Sequence, residues 1–265
     1  MTEATGKVRA KTGFSHVGHC GAVFDPRRRL AVENSFLVGS GRDVFLTQLD
    51  LGKNEVKKGL VPFDVSKKPV FDGAKYVYFQ EHHGKRFGRM DLDTLTFERL
   101  ESAPRSFEHD SVFAGGYVYA FDYEKKGMKY DVAGNKWKQT KLKFEGLANA
   151  NHPTDPNKYI TLCSDGNIRE VCVLDRKITK YKAKLDGEEM HVVPEFLPIP
   201  GDDGSFFVAI TSKKSWKVFS SAADSWEILT WDLTMGNTHA AFYDPGTKCA
   251  FYHINGKDKW TQKKL

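Results

Sequence analysis

Phe107-Glu-His-Asp-Ser-Val-Phe-Ala-Gly-Gly-Tyr-Val-Tyr-Ala-Phe-Asp-Tyr-Glu-Lys-Lys-Gly-Met-Lys-Tyr-Asp-Val-Ala-Gly-Asn-Lys-Trp-Lys-Gln-Thr-Lys-Leu142 holds a complete structural unit in one stretch. It opens with a short apolar-ended run, Phe107 to Phe113, and turns at Gly115-Gly116. Tyr117 to Phe121 then supplies aromatic and β-branched residues, which is the pattern of a hairpin. A polar break at Glu124-Lys125-Lys126-Gly127 leads into Met128-Lys-Tyr-Asp131, and Val132-Ala-Gly-Asn135 turns the chain again. Lys136 to Leu142 alternates apolar with polar, as a half-buried strand does. The unit is four antiparallel strands.

The unit recurs. An acidic or serine anchor is followed six residues on by a large apolar residue at Asp50/Val56, Asp91/Phe97, Asp131/Trp137, Asp175/Tyr181 and Ser220/Trp226, with anchors 41, 40, 44 and 45 residues apart. Second strands read Tyr76 to Phe79, Lys158 to Leu162, Phe206 to Ile210 and Cys249 to Tyr252. A four-stranded repeat of this length cannot bury both faces alone, so copies must stack into a closed ring, as propeller blades do. Trp216 is matched by Trp260, after which the chain stops at the third strand of its last repeat. The N-terminal segment Gly6 to Thr12 resembles the outer strand Asn135 to Thr140 and is expected to fill the vacant place, covering two sheet edges. The expected fold is all-β: one domain over residues 1–265, a six-bladed β-propeller with four antiparallel strands per blade, its last blade closed by the N-terminal strand.

Pro104-Arg-Ser-Phe-Glu-His109, Tyr117 to Phe121 and Tyr130-Asp131 through Asn135-Lys-Trp137 together resemble a kelch repeat. Phe219 to Trp226 keeps the outer-turn half of the motif. The double glycine that kelch repeats carry after the second strand is replaced by Phe121-Asp122-Tyr123 and Phe79-Gln80-Glu81. The resemblance implies a propeller whose loop face binds peptides or partner proteins.

Forty Lys and Arg against 34 Asp and Glu give a net charge of +6, with the excess spread over every repeat. Nucleic-acid binding calls for a focused basic run, which is absent. No apolar run is long enough to cross a bilayer, and residues 1–7 lack an apolar signal core, so a cytoplasmic protein is expected. Four cysteines, Cys20, Cys163, Cys172 and Cys249, form no CxxC pair. With Asp165-Gly166 read as a two-residue turn, Cys163 faces Ile168 and Cys172 lies beyond disulfide reach, so thiols suit a reducing compartment.

Basic residues concentrate in loops expected at one end of the ring. Between second and third strands lie Lys85 and Arg86, Lys125 and Lys126, and Lys213 and Lys214; between outer and next inner strands lie Lys67, Lys68 and Arg105. That rim favours an acidic peptide or protein partner. Several histidines fall near the starts of inner strands, but only Cys20, His109 and His239 share one register, and a one-residue offset turns a side chain to the other face. These three are the candidate metal ligands of a second reading, a small-molecule-binding or metal-dependent propeller enzyme with its site at the channel mouth. No catalytic or phosphate-binding motif occurs, and nothing calls for a cofactor. The favoured expectation is a non-catalytic interaction module.

Overall fold

The computed structural model describes residues 21–36, 44–65, 68–81, 83–107, 110–122, 126–143, 146–185, 196–211, 216–229, 238–254 and 260–264. The protein is an all-β, six-bladed propeller. Blade one consists of β1 (Ala22–Asp25), β2 (Leu30–Phe36), β3 (Val44–Asp50) and β4 (Glu55–Val61); blade two of β5 (Val70–Phe71), β6 (Tyr76–Gln80), β7 (Phe87–Asp91) and β8 (Phe97–Arg99). Blade three holds β9 (Val112–Ala114), β10 (Tyr117–Phe121), β11 (Lys126–Asp131) and β12 (Lys136–Lys143), and blade four holds β13 (Gly146–Asn151), β14 (Lys158–Cys163), β15 (Asn167–Cys172) and β16 (Ile178–Lys184). Blade five is β17 (Phe196–Pro200), β18 (Phe206–Thr211), β19 (Trp216–Ser220) and β20 (Ser225–Leu229). Blade six shows β21 (Thr238–Asp244), β22 (Cys249–Ile254) and β23 (Trp260–Lys264). The N-terminal segment expected to complete it lies outside the described residues. No helix among the described residues is long and apolar enough to cross a membrane.

The outer turns show why the repeat is legible. Asp50 Oδ1 accepts the amides of Gly52 and Lys53, Asp91 Oδ1 that of Asp93, and Asp131 Oδ1 that of Gly134, while Ser220 Oγ accepts the amide of Ala223. In blades one, two, three and five the third strand thus ends on a side chain that closes its own turn. Asn54, Asn135 and Asp224 take the left-handed position just before the outer strand, which Asx residues tolerate. Tyr130 faces Trp137 and Phe219 faces Trp226 across the last two strands.

Blade four departs from the sequence reading. Its third strand ends at Cys172, opposite Lys158, and Val171 faces Ile178. Asp175 lies inside the turn, accepting the Lys177 amide, and Arg176 takes the left-handed position. Ile178 is therefore exposed. Tyr181, further along β16, supplies the packing aromatic, edge-on to Phe219 at 5.1 Å and to Phe206 at 5.8 Å. Leu162, not Cys163, faces Ile168, because the turn holds three residues, Ser164 to Gly166, rather than two, with Gly166 at φ +81°. Cys163 and Cys172 sit toward opposite ends of this hairpin and are free thiols. In blade three, β9 is only Val112–Ala114; Phe107 belongs to the preceding loop and is buried against Ala103, Ala120 and Trp137.

Among the described residues an apolar cluster fills each of the six seams between neighbouring blades. Leu46 and Val61 meet Phe79 and Met90; Tyr78 and Phe87 meet Val118 and Tyr130; Phe121 meets Tyr159. Ile160 and Leu162 meet Phe206 and Phe219, and Ala209 and Trp216 meet Ala241 and Tyr252. The sixth cluster joins the ends of the chain, with Phe242, Phe251 and Trp260 packed on Ala22, Ala31 and Leu49. Burial of these seams drives closure, because no blade can cover its own faces.

Polar ties cross the same seams. Arg29 Nη2 meets the buried Asp244 Oδ2 at 3.0 Å between blades one and six, and Arg28 Nη1 donates to Ala74 O at 2.6 Å between blades one and two. Asp224 of blade five accepts the amides of Lys182 and Ala183 on β16. Arg29→Ala leaves the Asp244 carboxylate without its cation and is expected to cost about 2–3 kcal/mol. A double-mutant cycle with Asp244→Asn in urea unfolding measures the coupling across the closing seam. Additive single effects would show that this pair does not help to shut the ring.

Candidate functional site

Two loop sets meet at one end of the ring. Ala103, in the loop after β8, donates its amide to Lys85 O at 2.7 Å in the loop before β7. Arg86 donates from Nη1 to Pro62 O at 3.3 Å, in the loop after β4, and its guanidinium lies over the Phe63 ring. Arg86 is engaged with Glu81, Nε to Oε1 at 2.7 Å, and this partner holds the Glu81 carboxyl below its ordinary range. Arg105 pairs with Asp122 at 2.6 Å, tying the loop before β9 to the loop after β10.

The basic residues expected on the rim thus divide into two kinds. Arg86 and Arg105 are matched to carboxylates and brace loops. Lys85 and Lys126 are exposed at the same end. Lys68 is partly buried and reaches inward. Lys67, Lys125, Lys213 and Lys214 lie outside the described residues. So do Cys20 and His109. His239 lies on β21 where the pairing register slips between Thr238 and Ala240. Among the described residues no three His, Cys, Asp or Glu side chains come together to hold a metal ion.

The inner strands enclose a central cavity of about 460 Å³. Aromatic walls come from Phe24, Phe71 and Phe242, the first and last stacked with centroids 4.9 Å apart. Blade four makes the polar side. Asn151 donates to Phe71 O at 2.8 Å and accepts from the Phe113 amide at 2.8 Å, bridging blades two and three. Asn149 donates to Asp110 O at 2.9 Å, and its buried Oδ1 has no hydrogen-bond partner among the described residues. Lys68 enters from blade two and extends its ammonium to Phe196 O, 3.2 Å away on blade five. Blades two and five face each other across the six-membered ring.

His152 fixes the cavity wall at the other end. Its Nδ1 accepts the amides of Thr154 and Asp155, at 3.3 and 3.0 Å, so Nε2 carries the proton; it lies 3.3 Å from Glu170 Oε2, near enough for attraction but out of line for a hydrogen bond. Glu170 also meets Lys158 Nζ at 2.9 Å. His152 first and Lys158 next hold the Glu170 carboxyl down to about 2 against the opposing effect of burial. The network secures the β13–β14 hairpin, whose Pro153 lines the cavity.

Sequence reasoning placed the two loop sets at one end but did not identify the cavity. A signal was present. The inner-strand position occupied by Phe24, Phe71, Phe113 and Tyr243 carries Asn151 in blade four.

No protein-family model matches the chain, and no curated protein matches it in sequence. Solved structures do resemble it. A structural genomics protein of unknown function from Bacteroides thetaiotaomicron superposes with a TM-score of 0.64 at 11% identity, over 99% of this chain and 75% of that one. U3-55K gives 0.64 at 10% identity, over 99% of both chains. An auxiliary nutrient binding protein from Bacteroides thetaiotaomicron gives 0.65 at 10% identity, over 94% of this chain and 69% of that one. At such identities the likeness establishes the propeller fold and nothing finer.

Proposed function

We propose that this ring is a non-catalytic, kelch-type interaction module of the cytoplasm that receives an acidic peptide or protein on the end where the two loop sets meet. The observation that carries this reading is the division of labour among the basic residues. Arg86 and Arg105 are satisfied by Glu81 and Asp122 and brace the loops, while Lys85 stands exposed beside them. A preorganised platform loses little entropy on binding, and its lysines steer an acidic ligand. Lys67, Lys125, Lys213 and Lys214 belong to the same loop sets by sequence. A propeller fold suits such a role by analogy.

The test is charge reversal at Lys85, Lys126 and Lys214 together, with binding of a polyglutamate-tagged peptide followed by stopped flow at low and moderate salt. The triple variant is expected to associate about tenfold more slowly at low salt, with the difference shrinking as salt rises. Its melting temperature should match the parent's. Equal association at every salt concentration would sink the rim reading.

A further inference from the structure

We propose that the central cavity is a binding site for a small organic anion: a carboxylate with an apolar, hydrogen-bond-donating body. The inference is independent of the rim reading and concerns the axis of the ring, where a volume of about 460 Å³ falls in the range of small-molecule pockets.

The charge of the lining points to the ligand's sign. Among the described residues the cavity is lined by Lys68 and Arg27 and by no Asp or Glu. Lys68 crosses the axis and donates to a main-chain carbonyl, Phe196 O at 3.2 Å. A carbonyl dipole satisfies one ammonium proton without neutralising the charge. Arg27 donates to Ala74 O at 3.1 Å and to Gly73 O, and its nearest carboxylate, Asp25 at 3.8 Å, is bound more closely by Arg28 at 2.6 Å. Arg27 is 62% exposed, so it is the inward-reaching Lys68, held in a largely apolar cavity, that attracts an anion more strongly than a cation on the open rim. The carboxylate would take the Lys68 ammonium in place of the Phe196 carbonyl, giving a charge-assisted hydrogen bond.

The rest of the lining points to the ligand's body. Phe24, Phe71 and Phe242 offer ring faces and edges to an aromatic or alicyclic skeleton. Asn149 lines the cavity, and its Oδ1, itself shielded from solvent, has no donor among the described residues. An unsatisfied buried acceptor costs free energy, and a ligand hydroxyl or N–H recovers it. A hydroxylated aromatic carboxylate combines all three features, and 4-hydroxybenzoate is the simplest probe.

The experiment measures binding of 4-hydroxybenzoate, 4-hydroxybenzamide, benzoate and inorganic phosphate to the full chain by calorimetry and thermal shift. 4-Hydroxybenzoate is expected to bind at least tenfold more tightly than the neutral amide, and more tightly than benzoate, which cannot donate to Asn149. Lys68→Met should weaken it at least tenfold, whereas Lys68→Arg retains binding and guards against a folding defect. Binding of the amide as well as the carboxylate, or binding to Lys68→Met at the parent's affinity, would overturn the site. So would binding of phosphate alone, since that requires a cation but no apolar body, and so would absence of binding by any carboxylate.

Discussion

Trp216→Ala is expected to destabilise the ring by about 3–5 kcal/mol, the range for removing a large fully buried aromatic. Trp216 is 1% exposed and fills the seam between blades five and six, where Ala209, Ala241 and Ala250 leave room for its bulk and Tyr252 closes the far side. Facing alanines cannot collapse into the void, so the cavity penalty adds to the lost transfer free energy. Trp226 tests the same idea from the opposite direction. It is only partly buried, with its ring 5.4 Å from Phe219, and Trp226→Ala should cost about 2 kcal/mol. Urea unfolding of both variants checks the order, and a loss below about 1 kcal/mol at Trp216 would refute the packing argument.

That ordering reverses part of what the repeat suggests. Trp137 and Trp226 mark the blade period and so are expected in the core, yet both lie on outer strands and are only partly buried. Trp137 even spends its indole N–H on Glu101 O at 3.0 Å. Trp216 begins a third strand, covered from both sides, and its repeat partner Trp260 is equally deep. Periodicity reports that a residue packs; depth within the blade decides how much that packing is worth.

Local chemistry explains which features were legible. β10 occupies the expected Tyr117–Phe121, and β6, β14, β18 and β22 begin at the expected Tyr76, Lys158, Phe206 and Cys249. Each is a hairpin strand bounded by its own turn, so a short window contains the decision. The outer turn of blade four misled because Asp175 imitates an anchor three residues into the turn, and only the pairing of Val171 with Ile178 exposes the slip. The axis was less legible for a different reason. Lys68 and Phe196 are 128 residues apart, Arg29 and Asp244 are 215 apart, and no local pattern links such pairs. The position that carries Asn151 was readable, since an amide in a column that is aromatic in four other blades has to be hydrogen-bonded by something the column does not provide.

The cavity wall of blade four also sets the protein's behaviour in acid. Glu170 titrates at about 2 in the folded chain against 4.5 as an ordinary glutamate, so the unfolded chain binds the extra proton first as pH falls. The stability it contributes is complete above about pH 4.5 and is lost progressively as pH drops toward 2. A depression of this size corresponds to roughly 3 kcal/mol, and the carboxylate is shielded enough for most of that to be retained. Glu170→Gln removes the titration. The variant should be less stable than the parent by up to about 3 kcal/mol at pH 7, and the two should converge near pH 2. Glu81, Asp91 and Asp165, whose carboxyls are also held down, titrate equally in both proteins and cancel from the difference. Parallel stability curves for parent and variant between pH 5 and pH 2 would show that the His152–Glu170–Lys158 network is not what secures this wall. If the curves converge as expected, the β13–β14 hairpin is loosened by acid, because His152 and Lys158 lose the carboxylate they both face.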